Sequence, residues 1–163
     1  MTYFGQALNL LSSSGVEYIV VGGLAANVHG SVRLTDDLDI VYRRSPENIG
    51  RLVAALEPLR PRLRGAPEGL PFRLDAPTVK AGLNFTLITS LGAIDLLGEI
   101  SGGGGYEQLL PHSEQIEMFA VTCSVLDIAT LIATKKAAGR PKDFDAIAEL
   151  KTIDDRRRRS TVC

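Results

Sequence analysis

The chain of 163 residues carries 18 Lys and Arg against 19 Asp and Glu, a formal net charge of −1, and is 45% hydrophobic. At about 150 residues per domain this is one domain with a short tail; a chain so apolar and so nearly neutral is excluded from the disordered class and from proteins coated in cations for duplex binding. Cys123 and Cys163 lie far apart and make neither a disulfide framework nor a metal-binding pair, and the longest uncharged stretch, residues 1–16, is too short and too polar to span a bilayer. No cation precedes that stretch as in a signal peptide, so the expected setting is the cytoplasm, with no membrane partner.

In chain order, the apolar residues of 3–13 recur at helical spacing, closed by Ser12-Ser13-Ser14-Gly15. Residues 16–21 are β-branched and apolar, a buried strand stopped by Gly22 and Gly23. A short helix over 24–29 ends at Gly30, and residues 37–42 make a second strand. The helix over 46–56 has the clearest signals: Ser45 to cap it, Pro46 at its first position, and Ile49, Leu52, Val53 and Leu56 on one face. From 58 to 77 the pattern dissolves among prolines, a connection long enough to be functional or mobile. Residues 83–88 and 93–97 read as a strand pair, 102–105 as a glycine hinge, 106–110 as a short helix and 116–125 as one strand. Two helices, 127–138 and 142–151, are split by Gly139-Arg140-Pro141. This order predicts one α/β (α+β) domain over 1–152, with a mixed central sheet, flanking helices and two C-terminal helices, and then a basic, flexible tail over 153–163.

The chemistry concentrates in the acidic residues. In a strand, side chains alternate, so Asp37 and Asp39 share one face, their Cα atoms about 6.6 Å apart, while Leu38 and Ile40 share the other. Two carboxylates that close repel, and a divalent cation between them removes the repulsion; paired hard oxygens suit Mg²⁺ or Mn²⁺ rather than zinc. Asp95 is a lone charge in the apolar run Ala93–Leu97, costly if buried unless a neighbouring strand shares a metal site with it. Each feature has a plainer reading: Asp-x-Asp is commonly a solvated turn, and Asp95 could pair with an arginine. Together with Gly22 and Gly23, whose amides at a helix start can hold a phosphate, they point to one or two metal ions acting on a phosphate. The chain has no Walker A motif, and 102–105 is not a dinucleotide fingerprint.

A strand ending in Gly-Gly, a short helix, Arg33-x-Thr35-x-Asp37-Leu38-Asp39 and the later Asp95 resemble the nucleotidyltransferase superfamily related to polymerase β. With Gly30 and the stretch Lys135-Lys136 to Arg140-Pro141-Lys142-Asp143, the chain is similar to the nucleotidyltransferase-like toxins of the abortive-infection type. The resemblance implies Asp37 and Asp39 as metal ligands, Asp95 as the third carboxylate, and Gly22 and Gly23 against a triphosphate. It also implies an NTP substrate with Mg²⁺ or Mn²⁺, an RNA or tRNA end or a protein hydroxyl as acceptor, and an antitoxin partner.

The remaining residues keep two readings each. Lys135, Lys136, Arg140 and Lys142 form either a phosphate clamp opposite the carboxylates or a set of solvated helix-end cations. Arg33 either touches the γ-phosphate or pairs with Asp36, and Thr35 shapes the turn before the strand. Asp143 reads as a partner of the helix dipole, His29 as structural or superficial, Cys123 as an inert core thiol. The rival functions are a nucleotide-binding partner or sensor module without catalysis, and a metal-dependent phosphohydrolase.

Overall fold

A seven-stranded sheet organises the chain, which the computed structural model describes at residues 2–67 and 69–160. The elements are α1 (Phe4–Ser13), β1 (Tyr18–Val21), α2 (Gly22–Val28), β2 (Asp37–Tyr42), α3 (Pro46–Leu56), β3 (Arg62–Leu63), α4 (Ala76–Ala81), β4 (Phe85–Thr89), β5 (Gly92–Leu97), α5 (Tyr106–Leu109), β6 (Ser113–Met118), β7 (Val121–Leu126), α6 (Ile128–Ala138) and α7 (Phe144–Ser160). The strand order is β3-β4-β5-β2-β1-β7-β6; β2–β5 and β1–β7 are parallel and the other neighbours antiparallel. The expected mixed α/β architecture with two C-terminal helices is what forms.

Local chemistry explains the helix starts. The Ser45 hydroxyl accepts from Asn48 N at α3, Asp75 from Thr78 N at α4, and Asp127 from Thr130 N at α6. In the centre of the sheet, Leu38 and Ile40 of β2 and Ile94 and Leu96 of β5 are fully buried against a core that includes Leu8 and Leu11 of α1 and Leu52 and Leu56 of α3. Each such side chain contributes roughly 1.5–3 kcal/mol of burial, enough to set the register of the two strands. That register turns the intervening residues, Asp37, Asp39 and Asp95, to the opposite face.

Three features differ from the sequence reading. The single strand expected over 116–125 is a hairpin, β6 and β7, turning at Phe119 and Ala120 with φ of 52° and 62°. Such a turn favours Gly or Asn, and neither is present to announce it; Phe119 instead stacks on Phe4, ring centroids 6.3 Å apart. The stretch 58–77 contains β3 and the start of α4. Finally, α7 continues through the arginine run to Ser160. Arg157 holds it there, donating from Nη1 to His29 Nδ1 at 3.0 Å and from Nη2 to His29 O at 3.1 Å. Residues 161–163 of the expected tail, and with them Cys163, lie outside the described residues. Among the described residues no helix is long and apolar enough to cross a membrane.

Candidate active site

The parallel pairing of β2 with β5 sets Asp39 opposite Asp95, and Asp37 lies two residues back on the same face. One carboxylate oxygen from each of Asp37, Asp39 and Asp95 lies within 4.8 Å of the others. On the other side of β2, Val21 pairs with Asp39, so the chain leaves β1 into Gly22 directly beside that carboxylate. Gly22 has φ +68°, and a Cβ there would collide with Asp39 Oδ2 and lie 2.9 Å from its Cγ. A Cβ on Gly23 would lie 2.6 Å from Thr35 Oγ1. The two glycines thus let the start of α2 close on the acidic cluster. Among the described residues no side chain caps α2, leaving its first amides without a side-chain acceptor.

Asp39 is the most constrained of the three. Its Oδ1 is buried and has no hydrogen-bond partner among the described residues. Burial first, and then the neighbouring Asp95 and Asp37 charges, push its pKa up to about 7, with Arg64 pulling the other way. An orphaned acidic oxygen, two further carboxylates within reach and an all-oxygen donor set fit a divalent cation of the Mg²⁺ or Mn²⁺ kind. One cation is already at hand: the Arg64 guanidinium, from the residue after β3, donates to Asp95 Oδ1 at 2.7 Å and lies 3.6 Å from Asp37 Oδ2.

A cavity of about 370 Å³ opens beside the cluster, lined by Gly22, Asp39, Asn84, Asp95, Lys135 and Arg140 among others. The two basic residues are held by buried Asp143, with Lys135 Nζ 3.7 Å from Oδ1 and Arg140 Nε 2.7 Å from Oδ2. Lys136 is elsewhere. The α6 helix stops at Ala138, so Arg140 leaves the helical spiral that would have kept it beside Lys136. Lys136 borders a different cavity with Phe144 and Lys151, and the Lys151 ammonium lowers its pKa. Arg33 lies 3.5 Å from Glu149 Oε1, with which it forms an ion pair, and with Gly23, Thr35, Lys135 and Lys142 lines an adjoining cavity of about 210 Å³. Lys135 borders all three cavities.

No protein-family model matches the sequence. No curated protein matches it either. Solved structures do. A crystal structure from Thermotoga maritima, assigned as a nucleotidyltransferase, superposes with a TM-score of 0.59 over 93% of this chain and 96% of its own, at 14% identity. The lincomycin-bound crystal structure of LnuA, a lincosamide antibiotic adenylyltransferase, superposes with a TM-score of 0.61 over 94% of this chain and 98% of its own, also at 14% identity. The chain has the nucleotidyltransferase fold. Within this nucleotidyltransferase fold, the acidic cluster and the Gly22–Gly23 turn meet where β1 ends and β2 begins, with Asp95 on the neighbouring β5.

Two residues of the nucleotidyltransferase-fold site escaped the sequence reading. Arg64 sits in the proline-rich stretch, where no periodicity singles out any side chain; the lone charge of Asp95 was the one sign that a cation must come near. Asp143 reads as an ordinary helix-start acid, and only its burial beneath Lys135 and Arg140 shows what it does. His29 is structural: it is buried, its Nε2 lies 2.8 Å from Leu126 O, and its Nδ1 faces Arg157.

Proposed function

We propose that the protein is a metal-dependent nucleotidyltransferase that moves a nucleoside monophosphate from an NTP to an acceptor hydroxyl and releases pyrophosphate. One observation carries this reading: three carboxylates from two adjacent parallel strands converge beside a glycine turn that opens a helix. Asp37, Asp39 and Asp95 would hold the divalent cation, which when bound neutralises their charge and polarises phosphate oxygens. Gly22 and Gly23 offer amides to the triphosphate, and Lys135 and Arg140, aligned by Asp143, offset the charge of the leaving pyrophosphate. Arg33 and Lys142, around the adjoining cavity, extend the same positive wall. Asp95 either completes the ligand set or takes the acceptor's proton.

The acceptor under the leading reading is an RNA or tRNA end or a protein hydroxyl. The likeness to an antibiotic adenylyltransferase and the modest cavity favour a second acceptor class, a small hydroxylated molecule. Incubation with each α-labelled NTP, Mg²⁺ and total RNA, or a small-alcohol panel, is expected to label one acceptor and release pyrophosphate. Asp39→Ala should abolish both. Equal labelling by that variant defeats the proposal; NTP binding without turnover favours the non-catalytic module, and release of inorganic phosphate favours a phosphohydrolase. The toxin role and antitoxin partner rest on the sequence resemblance, and growth arrest by the expressed wild type but not by Asp39→Ala is their test.

A further inference from the structure

Arg64 stands where a cation is needed. Its Nη2 donates to Asp95 Oδ1 at 2.7 Å, and its Nη1 is 3.6 Å from Asp37 Oδ2, so it bridges two of the three carboxylates that would ligate a metal. Arg44 shows what a purely structural arginine looks like in this fold. It donates to Tyr42 Oη at 2.7 Å, Val79 O at 3.2 Å and Lys80 O at 3.1 Å, all neutral acceptors, and fastens β2 to α4. Arg64 is held differently. Among the described residues its one neutral acceptor, Leu87 O, is distant at 3.4 Å, and its buried Nε has no hydrogen-bond partner. Its close contacts go to carboxylates rather than to neutral oxygens, and a buried donor without an acceptor is a cost that the pairing with the acids offsets.

We propose that Arg64 is a built-in counter-ion of the acidic cluster that competes with the divalent cation for Asp37 and Asp95 and leaves them when the metal binds. The inference rests on the metal reading of those carboxylates. The backbone need not move. Arg64 N donates to Thr86 O at 2.9 Å, anchoring the residue to β4, and the side chain is already 31% exposed, so rotation of its long stem is enough to vacate the site. The displaced guanidinium stays within reach of the same cluster, where an incoming triphosphate offers it a replacement anion. Binding of metal and of nucleotide is thereby coupled through one side chain: the metal expels Arg64, and the nucleotide accepts it.

The test reads metal binding rather than turnover. Mn²⁺ is titrated into the nucleotide-free wild type, Arg64→Met, Arg62→Met and Asp39→Asn, followed by the electron spin resonance of unbound Mn²⁺. In parallel, exchange of the Arg64 Nε–H is followed by NMR in the wild type with and without Mg²⁺. Arg64→Met is expected to bind Mn²⁺ about ten-fold more tightly than the wild type. Arg62→Met, which removes the same charge two residues away, should match the wild type, and Asp39→Asn should lose binding. Mg²⁺ should deprotect the Arg64 Nε–H, although ligands ordinarily tighten a site. Equal or weaker Mn²⁺ binding by Arg64→Met, or an Nε–H that stays protected with Mg²⁺ bound, overturns the inference while leaving the metal site standing. If neither wild type nor Arg64→Met binds Mn²⁺, the metal reading fails and this inference with it. The exchange measurement needs no variant, so a poorly folding Arg64→Met does not spare the idea.

Discussion

At Gly22 the backbone takes a left-handed conformation against the Asp39 carboxylate, and both facts bear on one substitution. Gly22→Ala should cost about 1–2 kcal/mol from conformation alone, and more from the collision with Oδ2. It should also weaken Mn²⁺ binding about ten-fold or more, because the displaced carboxylate is one of the three proposed ligands. Gly50, in the middle of α3, is the contrast: a Cβ there meets nothing within 4 Å, so Gly50→Ala should stabilise by about 0.5–1 kcal/mol in urea titrations. Asp39 sets a pH dependence. Its pKa is raised from 3.8 to about 7, so between these values the folded state holds a proton that the unfolded state has released. Stability of the metal-free protein therefore falls as pH rises from about 4 to about 7, the reverse of an ion-paired carboxylate. Urea midpoints across that range should show the decline, Asp39→Asn should flatten it, and under the proposed metal reading Mg²⁺, favouring the ionised form, should offset it.

Among the elements, the α6–α7 junction sets the basic side of the candidate site. Helix α6 ends at Ala138 and is capped by left-handed Gly139, and a short turn over Pro141–Asp143 brings Asp143 back beneath Lys135 and Arg140. Asp143→Asn should release both cations and raise the dissociation constant for Mg²⁺–NTP about ten-fold, or ~1.4 kcal/mol, by calorimetry. Lys136→Ala, on the other cavity, should leave that constant within about two-fold. Helix α7 is tied to the loop before β2: Glu149 accepts from Ser31 Oγ at 2.6 Å and Val32 N at 3.3 Å, and the Ser31 bond holds its pKa low. Composition makes 153–160 look like a tail because it is a run of charges whose arginines are exposed residues. The anchor at His29 lies 128 positions away in the chain and has no local signature.

For the molecule as a whole, stability and the proposed ligand site share one sheet. The strands carrying the acids, β2 and β5, are its centre, each buried on its other face by Leu38, Ile40, Ile94 and Leu96. A ligand that binds only the folded protein adds RT ln(1 + [L]/Kd), about 2.7 kcal/mol at a hundred-fold excess over Kd. For a domain of this size, Mg²⁺ and the preferred NTP together should raise Tm by about 5–10 °C, and Asp39→Ala should lose the shift. Differential scanning fluorimetry across the four NTPs would also report the base preference.

Alternating side chains along β2, apolar strand signals and the Gly-Gly stop are local properties, so the mixed α/β class, most helices and the shared face of Asp37 and Asp39 could be read from the residues alone. Which strand lies beside β2 is not local. The parallel pairing that brings Asp95 opposite Asp39 joins residues 56 positions apart in the chain and is selected by burial of the opposite face. The same is true of Arg64, whose long stem crosses to Asp95 from a segment with no pattern, and of Asp143, whose two partners meet only because α6 ends where it does. Spacing along the chain shows which groups face the same way; only packing decides which opposite charges end up within reach of one another.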